Sequence, residues 1–264
     1  MSHRTIWAML LALLAGLALG SPALAQTNAK VRVVHASPDA PAVDVFVNGN
    51  KVLSNIPFFT ASNYLDLPGG TYDVRVTVAG DESKVAINAP GVTLEGGKAY
   101  TIVAVGKLAE IRPNILADNL SAPTNGKVKV RVIHASPDAP AVDVKVKDGP
   151  ILISNLAFPN ASDYLEVDAG SYDLQVTPTG ASDVVIDLPG TRVEAGKIYD
   201  VFAVGLVGNQ TLQAQPVVTT PAAAVGAPST LPTTGGAEMP LIAGTIVAAL
   251  LLVGGLALRR ARVS

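Results

Sequence analysis

Residues 30–45 read KVRVVHASPDAPAVDV, and residues 129–144 read KVRVIHASPDAPAVDV. The two stretches differ at a single position, where Ile133 stands in place of Val34. The similarity continues further along the chain, from 55–77 to 155–177 and from 89–106 to 188–205. The offset of 99 residues (129 minus 30) is too long for a solenoid repeat and is the size of a small domain. The chain therefore carries two copies of one module.

Both copies consist of short stretches rich in β-branched residues that turn signals separate. Residues 30–36 and 43–47 have the pattern of half-buried strands, and Asn48-Gly49-Asn50 favours a hairpin. No stretch between residues 26 and 215 keeps a helical apolar period. We therefore predict an all-β protein with two tandem antiparallel β-sandwiches of the immunoglobulin-like kind, each with about seven strands.

The first 25 residues have the layout of a secretory signal peptide. Arg4 supplies a positive charge, an apolar run follows at residues 6–19, and Ala23 and Ala25 are the small residues that a signal peptidase accepts. We expect cleavage after Ala25. The alternative is an uncleaved membrane anchor.

The other end of the chain has three signals in a fixed order. An LPTTG motif comes first, then twenty uncharged residues at 239–258, then a basic tail at 259–264. A helix over 239–258 would span the hydrocarbon core of a membrane. By the positive-inside rule the basic tail stays in the cytoplasm, so the modules face outward.

This order resembles the cell-wall sorting signal of bacterial surface proteins. The motif consists of Leu231, Pro232, Thr233, Thr234 and Gly235. In that family a sortase-type transpeptidase cuts between the threonine and the glycine and joins the threonine to the cell envelope. The resemblance therefore implies cleavage between Thr234 and Gly235 and attachment outside the cell. The alternative is a permanent single-pass membrane anchor.

Charge and composition exclude some classes of function. Between the two processing sites, residues 26–234 hold 15 Lys and Arg against 20 Asp and Glu, a formal charge of −5. Binding of nucleic acid needs clustered positive charge, so that partner is not expected. The chain has no cysteine. Thiolate catalysis and cysteine-based metal sites are therefore absent.

The predicted organisation follows from these signals. In chain order it is a signal peptide (1–25), a first module (26–110), a linker (111–128), a second module (129–215), a spacer rich in Pro, Ala and Thr (216–230), the sorting motif (231–235), a transmembrane helix (239–258) and a cytoplasmic tail (259–264).

One segment, HASPDAPAVD, has the residue types that chemistry requires. It occurs at 35–44 and again at 134–143. Its candidate residues in the two copies are His35, Ser37, Asp39 and Asp44, and His134, Ser136, Asp138 and Asp143.

Three hypotheses compete for this segment. The prolines break the strand, and the histidine and aspartates can hydrogen-bond a constrained loop, which is a structural role. The histidine and carboxylates could instead hold a metal or another ligand, although a Ca²⁺ site needs more oxygen ligands. A serine–histidine–aspartate triad would need oxyanion donors and a nucleophile elbow that the sequence lacks. We predict no catalytic residues, no metal and no cofactor.

Both copies, with the motifs N-[IL]-x-F, A-S-x-Y and G-K-x-Y that follow HASPDAPAVD, resemble the bacterial extracellular modules called domain of unknown function 4397. The resemblance implies a β-sandwich in the envelope and brings no reaction with it. Two functions remain open: a surface module that binds an extracellular protein or glycan, and a passive stalk.

Overall fold

The computed structural model describes residues 27–221, which form two modules of eight strands each. The strands of the first module are β1 (Asn28–His35), β2 (Val43–Val47), β3 (Asn50–Ile56), β4 (Leu65–Pro68), β5 (Gly70–Val78), β6 (Asp81–Leu94), β7 (Ala99–Val105) and β8 (Arg112–Asp118). Those of the second are β9 (Lys127–His134), β10 (Val142–Val146), β11 (Ile151–Leu156), β12 (Leu165–Asp168), β13 (Gly170–Pro178), β14 (Ile186–Val193), β15 (Ile198–Val204) and β16 (Gln213–Thr219). A short 3-10 helix at Leu108–Glu110 joins β7 to β8.

Each module is a sandwich of two four-stranded sheets. We call the sheet with strand order β4-β1-β7-β8 the inner sheet of the first module, and β3-β2-β5-β6 its outer sheet. The second module repeats this with β12-β9-β15-β16 as inner sheet and β11-β10-β13-β14 as outer sheet. The all-β prediction is confirmed for the described residues.

The predicted signal peptide and transmembrane helix lie outside the described residues. Residues 27–221 contain no helix with the length and apolar character that spanning a bilayer requires.

The prediction of purely antiparallel sheets is wrong in one respect. In each inner sheet the first and seventh strands of the module pair in parallel, β1 with β7 and β9 with β15. The other strand pairs in the four sheets are antiparallel. Turn signals predict only how neighbouring strands of the chain pair, so they carried no information about strands that are far apart in sequence.

An eighth strand in each module also corrects the predicted boundaries. Strand β8 lies inside the predicted linker 111–128, and β16 runs past the predicted module end at 215 into the predicted spacer. Pro113 and Pro216 favoured the prediction of a linker and a spacer for these segments. Both strands lie at the edge of their sheet, where a proline is tolerated because its missing N–H leaves no interior ladder bond unmade.

The two inner sheets pack on each other and share one apolar core. That core joins equivalent residues of the two copies, namely Val34 with Ile133, Ala36 with Ala135, Val103 with Phe202 and Val105 with Val204, all 0% exposed. Phe58, Phe59 and Phe158 pack against it from the loops. The layers therefore follow the order outer, inner, inner, outer, and residues 27–221 lie within one compact unit. Since every strand finds its sheet partners inside this range, we treat it as a self-sufficient folding unit.

Both ends of this unit lie at the same end of the strands. Strand β1 begins at Asn28 and β16 ends at Thr219, and these two residues line one groove between the modules. We call this end the base. Strands β1 and β9 both run away from the base to His35 and His134, so the two HASPDAPAVD segments lie together at the opposite end, which we call the loop end.

Candidate functional site

The HASPDAPAVD segments connect the two sheets of each module. His35 ends β1 in the inner sheet, and Val43 begins β2 in the outer sheet, with His134 and Val142 in the same places in the second module. The prolines between them fix the backbone angle φ and cannot donate to a ladder, so the strand ends and the chain crosses over.

The two histidines tie this crossing together from inside. Nε2 of His35 lies 3.0 Å from the carbonyl oxygen of Pro41, and Nε2 of His134 lies 3.0 Å from that of Pro140. A carbonyl oxygen can only accept, so Nε2 carries the proton and donates it. Burial lowers the pKa of both imidazoles below the ordinary value, although the bond to the proline carbonyl acts in the opposite direction. Both rings are therefore neutral donors to the loop backbone.

The serines are buried near these rings but do not form a catalytic pair with them. The hydroxyl of Ser136 donates to the carbonyl oxygen of Gly205 at 2.8 Å, and the hydroxyl of Ser37 has no hydrogen-bond partner among the described residues. The N–H of Ser37 donates to Nδ1 of His35 at 3.4 Å. Within residues 27–221 no hydrogen bond joins a serine hydroxyl of this segment to a histidine ring.

The first aspartate of the segment binds the turn that follows the last strand of the parallel pair. Oδ1 of Asp39 accepts the N–H of Leu108 at 2.7 Å. Asp138 accepts the N–H of Val207 at 2.9 Å and that of Gly208 at 3.0 Å. Desolvation raises the pKa of the Asp138 carboxyl, but the bonds from Gly208 and Val207 outweigh it and the net pKa is lowered. Each of these carboxylates holds two loops of its module together.

The second aspartate binds the backbone of the outer sheet. Asp44 accepts hydrogen bonds from Nζ of Lys51 at 2.8 Å, from the N–H of Asn55 at 2.8 Å and from the N–H of Gly80 at 3.2 Å. The hydrogen bond from Lys51, followed by the two N–H groups, lowers the pKa of Asp44 to about 2.

Asp143 has the equivalent backbone bonds, but no lysine of the described residues hydrogen-bonds it. It accepts from the N–H of Asn155, the hydroxyl of Thr179 and the N–H of Gly180. The N–H of Asn155 contributes most to lowering the pKa of its carboxyl. Ile151 stands where the first module has Lys51, because it pairs with Lys145 of β10 as Lys51 pairs with Phe46 of β2.

Most of the described polar groups of the segment thus bind backbone groups, and they do not converge on a common point. No group of three or more His, Asp or Glu side chains within residues 27–221 converges as metal ligands would. The hypothesis that the segment binds a metal or another ligand stays a prediction, and no such cluster within residues 27–221 supports it.

A buried charged cluster that the sequence did not predict lies between the inner sheets near the base. Arg131 contacts both modules, with Nε 2.8 Å from Oδ1 of Asp200 and a terminal nitrogen 2.6 Å from Oδ1 of Asp118. Arg32 contacts Oδ2 of Asp200 at 2.5 Å, which again joins the two modules. The four charged side chains are 0–4% exposed. Two cations and two anions leave the cluster neutral, which is what burial of charge requires.

Two tyrosines complete the cluster. The guanidinium of Arg131 lies over the ring of Tyr164 at 4.5 Å, and that of Arg32 lies over Tyr64 at 4.9 Å. The tyrosine hydroxyls donate to Asp200 and Asp118. Burial raises the pKa of both hydroxyls, and the neighbouring carboxylate adds to this.

The two modules contribute the aspartates of this cluster from positions that are not equivalent. Thr101 in β7 stands where the second module has Asp200 in β15, and Asp118 ends β8 where Thr219 ends β16. The signal that could have revealed the cluster is the arginine in VRV of both copies, on the same face of the strand as Val34 or Ile133.

The signal peptidase site (Ala23, Ala25) and the sorting motif (Leu231, Pro232, Thr233, Thr234, Gly235) lie outside the described residues. Their roles remain predictions.

A family model described as a domain of unknown function (DUF4397) matches the chain over two overlapping regions, residues 29–145 and 130–228. The chain belongs to the DUF4397 family. The prediction of tandem DUF4397 modules is confirmed, and each HASPDAPAVD segment lies within a matched region. No protein of curated function matches this DUF4397 chain.

Two solved structures share a weak likeness with the DUF4397 chain. One is the CBM26-family module CBMbc of Amy13K from Eubacterium rectale, in complex with maltoheptaose, at 13% identity and a TM-score of 0.21, covering 74% of this chain and 98% of that one. The other is a putative cell adhesion protein from Bacteroides fragilis, at 11% identity and a TM-score of 0.18, covering 74% and 99%. At these TM-scores neither likeness bears on function.

Proposed function

We propose that this chain is a non-enzymatic protein of the bacterial cell envelope that displays its two modules, as one rigid body, for binding or adhesion outside the cell. The observation that carries the proposal is the opposite placement of the chain ends and the HASPDAPAVD loops. A C-terminal anchor would attach after Thr219 at the base, so both loop segments would face away from the cell. The order of secretory signal, LPTTG, apolar span and basic tail supports such an anchor.

Rigid display is favoured by the interface between the modules. A shared apolar core and a neutral buried ion cluster leave no free hinge between the inner sheets. Two loop segments held side by side can contact one partner together, and two weak contacts in a fixed geometry gain affinity from each other.

Labelling on intact cells tests the display. The chain has no cysteine, so single cysteines placed at Asn209 (exposed, beyond β15 at the loop end) and Thr220 (exposed, at the base) report on those two positions alone. A bulky maleimide should react with the Asn209→Cys protein on cells as fast as with released protein, and more slowly with the Thr220→Cys protein. Equal rates on cells, or protection of both cysteines, would contradict outward display of the loop end.

Mass spectrometry of envelope digests tests the attachment separately. We expect mature protein from Gln26 to Thr234 and no peptide that bridges Thr234 and Gly235. Recovery of that bridging peptide as the main species would identify a permanent membrane anchor instead of sorting.

A passive stalk is the second candidate, and the internal use of the loop carboxylates favours it. Asp39, Asp138, Asp44 and Asp143 all accept backbone N–H groups, which leaves them fewer free lone pairs for a partner. Melting curves of residues 27–221 with and without Ca²⁺, Zn²⁺ and glycans discriminate the two. A ligand of the folded state raises the melting temperature by mass action, and a stalk shows no rise.

A further inference from the structure

The second module contains an apolar cavity between its inner and outer sheets, and the cavity is partly open to solvent. Its volume is about 320 Å³, whereas the corresponding space in the first module is about 40 Å³. The first value falls in the range of small-molecule binding sites and is roughly twice that of an apolar cavity of ~150 Å³ that holds benzene. The same sandwich fold therefore contains a large cavity in the second module and only a small one in the first.

The cavity follows the strands for most of their length. Its wall on β9 consists of Val130, Val132 and His134, and its wall on β15 includes Tyr199, Val201 and Ala203. Alternate residues of a strand point to one face, so four residue steps correspond to a length of roughly 13 Å. The space is therefore elongated and suits a chain-like molecule.

Side-chain size does not account for the difference between the modules. Val167, Val193 and Val201 are each one methylene smaller than Leu67, Leu94 and Ile102 of the first module. Leu174 and Leu188 offset this, because they stand where the first module has Val74 and Ala89.

The backbone of the outer sheet differs instead. Strand β14 has 8 residues, whereas its counterpart β6 has 14. An empty apolar void of this size destabilises a small domain, because its lining loses contacts. A ligand would restore those contacts.

One polar group in the cavity wall lacks a partner. His134 is 1% exposed, its Nε2 donates to the carbonyl oxygen of Pro140, and its Nδ1 has no hydrogen-bond partner within residues 27–221. In the first module the corresponding Nδ1 of His35 accepts the N–H of Ser37. Since the ring is neutral and Nε2 carries the proton, Nδ1 of His134 is a free acceptor. A buried acceptor without a donor is unfavourable, so a hydroxyl supplied by a ligand would be stabilised there.

We propose that this cavity binds an elongated apolar molecule with one hydroxyl group, the chain lying between the sheets of the second module and the hydroxyl donating to Nδ1 of His134. The proposal goes beyond display on the envelope, since it needs neither an anchor nor a partner at the loop end. The ligand class is that of a medium-chain alcohol.

Two isomeric probes test the hydrogen bond. 1-Octanol carries a donor, whereas heptyl methyl ether has the same atoms and nearly the same length without one. Titration of residues 27–221 with each, followed by methyl NMR, should shift the methyl signals of Val132, Val144 and Leu174. The counterparts Val33, Val45 and Val74 in the first module should stay in place. The alcohol should bind about tenfold more tightly than the ether, the ordinary effect of one hydrogen bond.

Matched variants in the two modules separate ligand binding from folding. His134→Leu should remove the preference for the alcohol, and His35→Leu should retain it, although both lose a bond to a proline carbonyl. Ala203→Leu should fill the cavity, abolish binding and raise the melting temperature. Ala104→Leu, the same change in the filled module, should lower the melting temperature and leave binding intact.

Several outcomes would overturn the proposal. These are absence of saturable binding, equal affinity for the alcohol and the ether, and equal shifts in both modules. Octanoate binding that exceeds octanol binding and depends on the exposed Arg192 would place the polar group at the opposite end of the cavity and also overturn it. If His134→Leu does not fold, the affinities of 1-octanol and heptyl methyl ether for the unaltered chain still show whether the hydroxyl group contributes to binding. Failure here leaves outward display untouched, because the labelling experiment does not involve the cavity.

Discussion

Asp44 and Asp143 occupy equivalent positions but differ in one partner, and this makes them a natural experiment. Both accept backbone N–H groups of the outer sheet, and Asp44 also accepts a hydrogen bond from the ammonium group of Lys51. A carboxyl group whose pKa is lowered in the folded state contributes stability above its unfolded pKa of about 3.9 and loses that contribution as the pH falls. For Asp44 the loss falls between about pH 4 and its folded pKa of about 2.

We expect Lys51→Met to raise the pKa of Asp44, so that the contribution of this carboxylate to stability becomes smaller and is lost over a narrower pH range below about 4. The main stabiliser of the ionised carboxylate is removed while its N–H donors remain. Carboxyl carbon NMR over pH 1.5–6 measures the change, and Asp143 in the same sample should titrate as before. An unchanged titration of Asp44 would show that the N–H groups alone set its pKa.

We also expect Asp39→Ala to lower the free energy of unfolding by about 1 kcal/mol, because the N–H of Leu108 loses its acceptor. Asp39→Asn keeps an oxygen there and should have a smaller effect. Asp138→Ala should cost more than Asp39→Ala, since two N–H groups lose their partner. Chemical denaturation measures all three. Stabilisation by Asp39→Asn, together with loss of a metal response that the parent has, would favour the ligand hypothesis for the segment.

For individual residues, the sequence predicted what kind of role a side chain has but not which groups it binds. A histidine and aspartates among prolines predict tethers for a constrained loop, and their hydrogen bonds in the structure are of that kind. Which backbone groups they bind was not predictable, since Leu108 lies 69 residues from Asp39. Arg32 and Arg131 would ordinarily be placed at the surface, and their burial depends on carboxylates brought by the other module.

Strands β8 and β16 show why element boundaries were the weakest part of the prediction. Their hydrophobic alternation is short and each contains a proline, so composition alone predicts linker. Their strand character comes from pairing with β7 and β15, which already carry a partner on the other side. Tertiary context thus decided what local propensity left undetermined.

A chain that ends at the predicted module boundary, residue 215, tests how much the end of β16 contributes to stability. A chain of residues 27–215 loses the last part of β16, including Val217, which packs on the shared core, and Thr219, which contacts Arg32. We expect it to be less stable than residues 27–221 by at least about 2 kcal/mol. Equal melting temperatures of the two chains would show that residues 216–221, the last part of β16 included, contribute nothing to stability.

The shared core and the ion cluster join the two modules of residues 27–221 into one packed unit. We expect residues 27–221 to unfold in a single transition. Arg131→Met leaves Asp118 and Asp200 buried with fewer partners, and breaking such a buried cluster costs about 3–5 kcal/mol. Calorimetry should show a lower melting temperature and a separation into two transitions. Arg192→Met, at an exposed position, is the control and should change little; an equal effect of both variants would contradict the coupling.

The common direction of β1, β9 and the loop segments also has a mechanical consequence. If a cell holds this chain through its C-terminal end and a partner holds the loop end, tension runs along the strands. The ladder hydrogen bonds of each strand are then loaded in shear and must fail together, whereas a pull across the sheet would break them one after another. A flow that pulls on the cell would thus load the sandwich along the direction in which its strands resist force best.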